Sequence, residues 1–337
     1  MWRRCSLGFL LLPFISSGQE LFPLNEPASS VPKGVIGARV ITQNYREENL
    51  IRTMEAVRLM YGLTAKLSVM VTGTASNHHG HALPADLVYH NHLGGGTNYF
   101  TGSVRLGVPY PYLINGVDFF AKYRLISMDG KNRHLRIAAY GEWSSVNVPH
   151  HESEPNLMDD TGGYGFGGIA TWLRNRFAAS LTYGVIRPHS YFEKQPDFSG
   201  GQDLPTRVYY GNATRYNISF GYRLYPNHYT DYEQANWNVY VEFMGKTYDA
   251  ARVIQAGTSI PLMTPILRNG SYMEIHPGIQ RIANSNTRIE FSLGLPFIGN
   301  SYVHTTPMWT FAVQRYFYRK MSKEEKMNRL KSKLHHD

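Results

Sequence analysis

The sequence predicts an all-β chain: a transmembrane antiparallel β-barrel of about twelve strands, with long extracellular loops and short periplasmic turns. Three observations predict it. Apolar and polar residues alternate with a period of two through most of the chain. The connections between strands sort by parity into short and long. Aromatic residues are plentiful at 13%, while charged residues are only 18%, below the usual quarter.

The stretch from Glu55 to Thr74 shows the plan. Val57, Leu59 and Tyr61 alternate with Ala56, Arg58 and Met60. A polar connection, Gly62 to Lys66, follows, and alternation resumes with Leu67, Val69 and Val71 against Ser68, Met70, Thr72 and Thr74. Period two places each set on its own face of a strand. In a membrane barrel the apolar face meets lipid and the polar face lines the lumen.

Read in order, the candidate strands are Lys33–Tyr45, Leu50–Tyr61, Lys66–Ser76, Gly116–Ser127, Arg133–Ser145, Tyr164–Leu173, Arg176–Arg187, Tyr209–Leu224, Ala235–Lys246, Ser271–Ile282, Thr287–Phe297 and Thr306–Tyr318. Asp129-Gly130-Lys131-Asn132 and Arg174-Asn175 have the composition of hairpin turns. Connections after even strands are mostly short. Several after odd strands are long, the longest being Asn77–Asn115. A soluble sandwich has no reason to sort its loops this way.

The ends differ from the middle. Residues 1–18 read as a signal peptide: Arg3 and Arg4, an apolar core from Leu7 to Ile15, then Ser16-Ser17-Gly18. Residues 19–32 are left as an N-terminal periplasmic segment, and 33–318 form the barrel. Residues 319–337 make a basic periplasmic tail, either a short amphipathic helix or a solvated extension, with anchoring to peptidoglycan or a partner as a further reading. Of the net charge of +9, Arg3 and Arg4 contribute +2 and the residues from Arg319 contribute +4, which leaves +3 for the middle. That distribution gives no support to nucleic-acid binding. The one cysteine, Cys5, lies in the signal peptide. Mean hydropathy is −0.34, and no apolar run approaches the ~20 residues of a spanning helix.

Charged residues on the polar strand faces mark the lumen: Arg58, Asp118, Lys122, Arg124, Arg136, Glu142, Arg215, Arg223, Glu242, Glu274, Arg288 and Glu290. Facing lipid would cost ~2–4 kcal/mol for an Arg or Lys at the midplane, so they face water or one another. They form either a charged channel wall or a closed, salt-bridged interior. A second constellation, His78, His79, His81, His90 and His92, lies in the longest loop. Neutral imidazoles there suit copper or zinc, and a polar surface loop without an ion is the other reading. No other cofactor is expected. Ser219, Ser292 and His276 fall on strands, but no nucleophile–base pair follows from their spacing.

Two pieces resemble a known family. Tyr61-Gly62-Leu63-Thr64 with Leu67-Ser68 resembles the periplasmic hairpin of the outer-membrane channels named after the meta-cleavage pathway of phenol degradation. Gly116-Val117-Asp118 with Lys122-Tyr123-Arg124 is similar to that family's next strand, though one glycine of the Gly-x-Gly-Asp start is missing from the first part of that piece. The aromatic Phe311–Tyr318 is similar to the last strand read by the barrel-insertion machinery. The resemblance implies an outer-membrane barrel taking up small, hydrophobic or aromatic molecules.

The leading expectation is therefore a non-enzymatic outer-membrane channel or transporter for small molecules, in contact with lipid, the insertion machinery and its solute. A surface barrel capturing metal or a partner through loop 77–115 is the alternative, and a membrane-embedded enzyme the third.

Overall fold

The computed structural model describes residues 22–47, 50–77, 88–91, 95–98, 104–105, 109–130, 133–147, 162–196, 202–227, 235–260, 268–299 and 307–318. The segments expected to be a signal peptide (1–18) and a basic tail (319–337) lie outside these.

Twelve antiparallel strands close into a barrel. They are β1 (Ile36–Glu47), β2 (Leu50–Gly62), β3 (Leu67–Ser76), β4 (Leu113–Gly130), β5 (Arg133–Val146) and β6 (Gly163–Arg174), then β7 (Phe177–Pro188), β8 (Ala213–Tyr225), β9 (Asn236–Tyr248), β10 (Gly270–Ala283), β11 (Thr287–Gly299) and β12 (Met308–Phe317). Each pairs with its sequence neighbours. β12 closes on β1 from Ile36↔Phe317 to Asn44↔Trp309, so no edge is left open.

The alternation works as the sequence suggests. In β12 the odd residues Trp309, Phe311, Val313 and Phe317 are exposed, while Met308, Thr310, Ala312 and Gln314 are buried. Val40, Val57, Leu59, Phe119 and Phe291 add to an exposed apolar exterior. An apolar outside and a polar inside is the inverse of a soluble domain and fits a barrel set in lipid.

Two turns show their local cause. The two-residue link between β6 and β7 puts Asn175 at φ 56°, and the link between β10 and β11 puts Asn284 and Ser285 at φ 50° and 52°. Asn tolerates this left-handed region better than most residues. Together with Arg174↔Phe177 and Ala283↔Thr287, these tight links make one rim, which is periplasmic in barrels of this kind.

Two of the shifts in strand boundaries have a visible local cause. β1 starts at Ile36 rather than Lys33, because Gly34, at φ 75°, takes part in a turn closed by Val35 N–H to Pro32 O at 3.0 Å. The eighth candidate strand divides. Tyr209 ends a strand outside the barrel wall, Asp203–Tyr209, and β8 begins at Ala213. Gly211 between them lies so close to the Asp249 carbonyl that a Cβ would collide with it. The long loops also contain strands. Tyr191–Pro196, Asp203–Tyr209, Arg252–Gln255 and Thr258–Ile260 form a four-stranded sheet that joins the β7–β8 and β9–β10 loops. Val208, Tyr210, Ala251 and Val253 form its buried cluster. Burial and the hydrogen bond from its hydroxyl to Glu193 (3.0 Å) push the Tyr191 phenol up to about 12, so it remains a donor at neutral pH. In the β3–β4 loop, Val88–Asn91, Gly95–Asn98 and Val104–Arg105 form a small three-stranded sheet.

Candidate functional site: a plugged lumen

The largest departure from the sequence reading lies at the N-terminus. Residues 19–32 read as a periplasmic segment, yet the described part, from Phe22 onward, runs inside the barrel. Leu24-Asn25-Glu26-Pro27 has no alternation to join a sheet. Its backbone groups still need partners once out of water, and the lumen wall supplies them.

The segment is anchored first at the periplasmic rim. Gly34 N–H donates to Gly62 O at 2.8 Å, and Gly62 N–H to Val35 O at 3.1 Å. A Cβ at Gly62 would collide with the carbonyls of Pro32 and Val31. Gly62, one residue of the hairpin piece, thus has a steric role: only glycine lets the segment pass over this turn. Ser30 Oγ donates to Lys66 O at 3.1 Å in the same turn. Val31 and Val35 pack with Met60, Met70 and Tyr316 inside the wall.

Deeper in, Arg136 donates to Ser29 Oγ at 2.9 Å, and Ala28 N–H to Thr171 Oγ1 at 2.9 Å. Lys122 is fully buried; its Nζ meets the Pro27 carbonyl and Glu26 Oε2, the latter at 3.2 Å. Glu26 also receives Arg58 at 3.2 Å. At mid-strand depth Glu242 accepts the backbone N–H groups of Leu24 (3.0 Å) and Asn25 (2.8 Å) and the hydroxyl of Ser219 (3.1 Å). The Asn25 side chain donates to Ser219 and accepts from Thr182. Arg39 ties the Pro23 carbonyl at 2.6 Å to Glu290 at 2.7 Å. From there the chain turns back toward the rim, where Phe22 packs on Ala178 and Leu173.

This arrangement sorts the twelve charged candidates. Lys122, Arg136 and Glu242 hold the segment directly, and Arg58 and Glu290 act with Glu26 and Arg39. Arg215 places Nη1 3.0 Å from both Glu142 oxygens on the wall. Asp118 and Glu274 line the space beside it, Glu274 against His276 Nε2 at 3.0 Å. Three lie toward the periplasmic end. Arg124 donates to Ala65 O in the β2–β3 turn, Arg288 lies over the Tyr316 ring, and the Arg223 carbonyl accepts from Arg176. A charged wall and a salt-bridged interior are thus found together, at different depths.

Beyond the segment lies a cavity of about 180 Å³. Its lining joins Ile41, Met70, Phe120, Tyr140, Ile169, Met244 and Met308 to Arg39, Gln43, Arg58, Asp118, Glu142, Arg215, Lys246 and His276. Three buried polar atoms of residues on this lining, Arg39 Nε, Gln43 Oε1 and His276 Nδ1, have no hydrogen-bond partner among the described residues. The β10–β11 pairing runs to Ile275↔Leu295 and resumes at Gly278↔Ser292, across Pro277, which has no N–H to give. Ser219, one of the serines weighed as a nucleophile, is engaged by Glu242 and Asn25 rather than by His276.

Sequence reasoning missed Arg39, Gln43 and Lys246, although Arg39 and Gln43 obey the alternation of the first strand. It also missed Asn25 and Glu26, for which no periodic signal exists. Of the histidine set, His90 falls in Val88–Asn91, opposite Gly96; His78, His79, His81 and His92 lie outside the described residues.

The architecture matches a crystal structure of an outer-membrane channel from Pseudomonas putida F1 with a TM-score of 0.52, at 11% identity over 88% of this chain and 100% of that one. This is the fold of a bacterial outer-membrane barrel. The KdgM porin (TM-score 0.38, 9% identity, 84% of this chain and 99% of that one) and the CymD monoaromatic hydrocarbon channel (0.33, 12%, 86% and 90%) also align, too loosely to carry an argument. No family model and no curated protein matches the chain.

Proposed function

We propose that the chain is an outer-membrane channel for small molecules whose lumen is closed at the periplasmic side by its own N-terminal segment. The observation that carries this reading is the hydrogen-bonded insertion of residues 22–33 below a chamber with both apolar and polar walls. A barrel that only anchored a surface domain would need no chamber. A chamber of about 180 Å³ is close to the ~150 Å³ apolar cavity that admits benzene. Methionine, isoleucine and aromatic walls suit a ring. The free His276 Nδ1 and Gln43 Oε1 suit one polar substituent on it. Charges of both signs, largely paired, favour a neutral solute over an ion. The solute is therefore a small hydrophobic or aromatic compound, and release requires the segment to move.

Planar-bilayer recording on the full chain and on a variant lacking residues 22–32 tests this. The full chain should show low, flickering conductance and the deletion a larger, steady one. A Glu242→Gln variant, which keeps the wall packed, should lie between them. Equal conductance from all three would reject the plug. Liposome swelling that admits sugars as readily as phenol-sized solutes would reject the substrate class.

A further inference from the structure

We infer that Arg133 and Arg174 form a site for the phosphate of an anionic glycerophospholipid at the periplasmic rim. The two lie directly opposite each other across β5 and β6. Both are exposed. Each also falls on the outward parity of its strand, since the flanking Arg136, Ala138 and Ile169 are the buried ones. Like charges directly opposite on one face of a sheet destabilise the pair, so the arrangement calls for an anion between them.

Neighbouring residues do not supply one. Asp129, the acid of that hairpin, is taken on the inner side by Arg136 at 3.1 Å and His134 at 2.7 Å. Three other arginines of this rim have a ring of their own: Arg176 lies over Tyr222, Arg281 over Trp237 and Arg315 over Phe317, at 4.8, 5.4 and 5.8 Å. Among the described residues no ring stacks on the guanidinium of Arg133 or Arg174 and no carboxylate pairs with either, although Phe177 lies opposite Arg174 in register.

Their height fixes the ligand. One pleat further into the barrel wall the same two strands pair Leu135 with Trp172, and Trp172 packs edge-on to Phe177 at 5.9 Å. An aromatic girdle marks the boundary of the hydrocarbon layer. Phe177 is in register with Arg174, so the two arginines lie at the periplasmic edge of this girdle, where headgroups begin. Two guanidinium forks side by side match the oxygens of a phosphodiester, and a lipid whose net charge is negative gains more there than a zwitterion.

The inference rests on the barrel lying in a bilayer, and the test keeps the two apart. Full-length protein in mixed detergent micelles is offered dimyristoyl phosphatidylglycerol and dimyristoyl phosphatidylcholine in equal amounts, and the lipid retained is counted by native mass spectrometry. The wild type should retain phosphatidylglycerol in preference. Each of Arg133→Gln and Arg174→Gln should lower that preference roughly fivefold, the value of one basic residue near an anionic surface. Arg281→Gln, whose arginine is engaged by Trp237, should leave it intact. Equal retention of both lipids by the wild type, or an undiminished preference in the double variant, overturns the site. Heat-modifiable migration of every variant reports separately that the barrel itself is formed.

Discussion

The backbone N–H of Asn25 donates to Glu242 Oε1 at 2.8 Å, joining residues 217 apart in sequence in the middle of the lumen. Glu242 is completely buried, and its oxygens accept from Leu24, Asn25 and Ser219 together. Glu242→Ala leaves two buried N–H groups without an acceptor, at ~1–3 kcal/mol each. The N-terminal segment should then dissociate readily and become accessible to protease from the periplasmic side. Unchanged protease resistance in that variant would show that the segment is held elsewhere.

Lys122 and Arg58 both reach Glu26. Glu26→Gln keeps the size of the side chain and removes the charge facing the buried Lys122 and the half-buried Arg58. Leaving the buried Lys122 without its counter-charge weakens docking of the segment, by less than the ~3–5 kcal/mol of a fully buried pair because Glu26 is partly exposed. Channel open probability should rise while the denaturation midpoint of the barrel moves little. A large fall in barrel stability without a change in gating would mean that Glu26 supports the wall instead.

Gly62 and Gly73 lie eleven residues apart on one hairpin and make a matched test. A Cβ at Gly62 meets the Pro32 and Val31 carbonyls, whereas at Gly73 it meets nothing within 4 Å. Gly62→Ala should disturb the entry of the N-terminal segment and cost ~1–3 kcal/mol, as overpacking does. Gly73→Ala should be silent. Denaturant titration in lipid vesicles gives both values, and equal effects would exclude the close approach at Gly62.

Val57 and Arg58 are adjacent, with Val57 54% exposed on the outer face and Arg58 turned to Glu26. Val57→Arg should lower barrel stability by ~2–4 kcal/mol if the position is near the midplane. A neutral outcome in vesicles would mean that this face does not contact the hydrocarbon layer.

The histidines of the loop 77–115 remain a proposed metal site. Copper should bind tighter than zinc. Affinity should fall as pH drops through the imidazole range near ~6.5, because a protonated ring cannot ligate. Calorimetric titration of the full chain against a variant with His78, His79, His81, His90 and His92 changed to alanine checks it; identical heats would end the proposal.

The sequence by itself determined the barrel. Alternation is a local property, with each residue's neighbours at ±1 and ±2 fixing which face it takes, so Val57, Arg58 and Leu59 declare their sides without knowledge of any distant partner. Parity of loop length added the direction of the hairpins. Tertiary structure alone decided what fills the lumen. Pro23 to Pro27 carry no period, and their partners, Glu242, Ser219, Lys122 and Arg39, come from strands spread around the closed wall. Hydrogen bonds between an aperiodic segment and a surface formed only on closure leave no mark in local sequence. The charged residues could be placed on the inner face, but not sorted into plug anchors, wall pairs and chamber lining, because depth along the barrel axis depends on register with neighbouring strands. The same holds for Arg133 and Arg174: forty-one residues apart in the chain, they become like-charged neighbours only through the β5–β6 register.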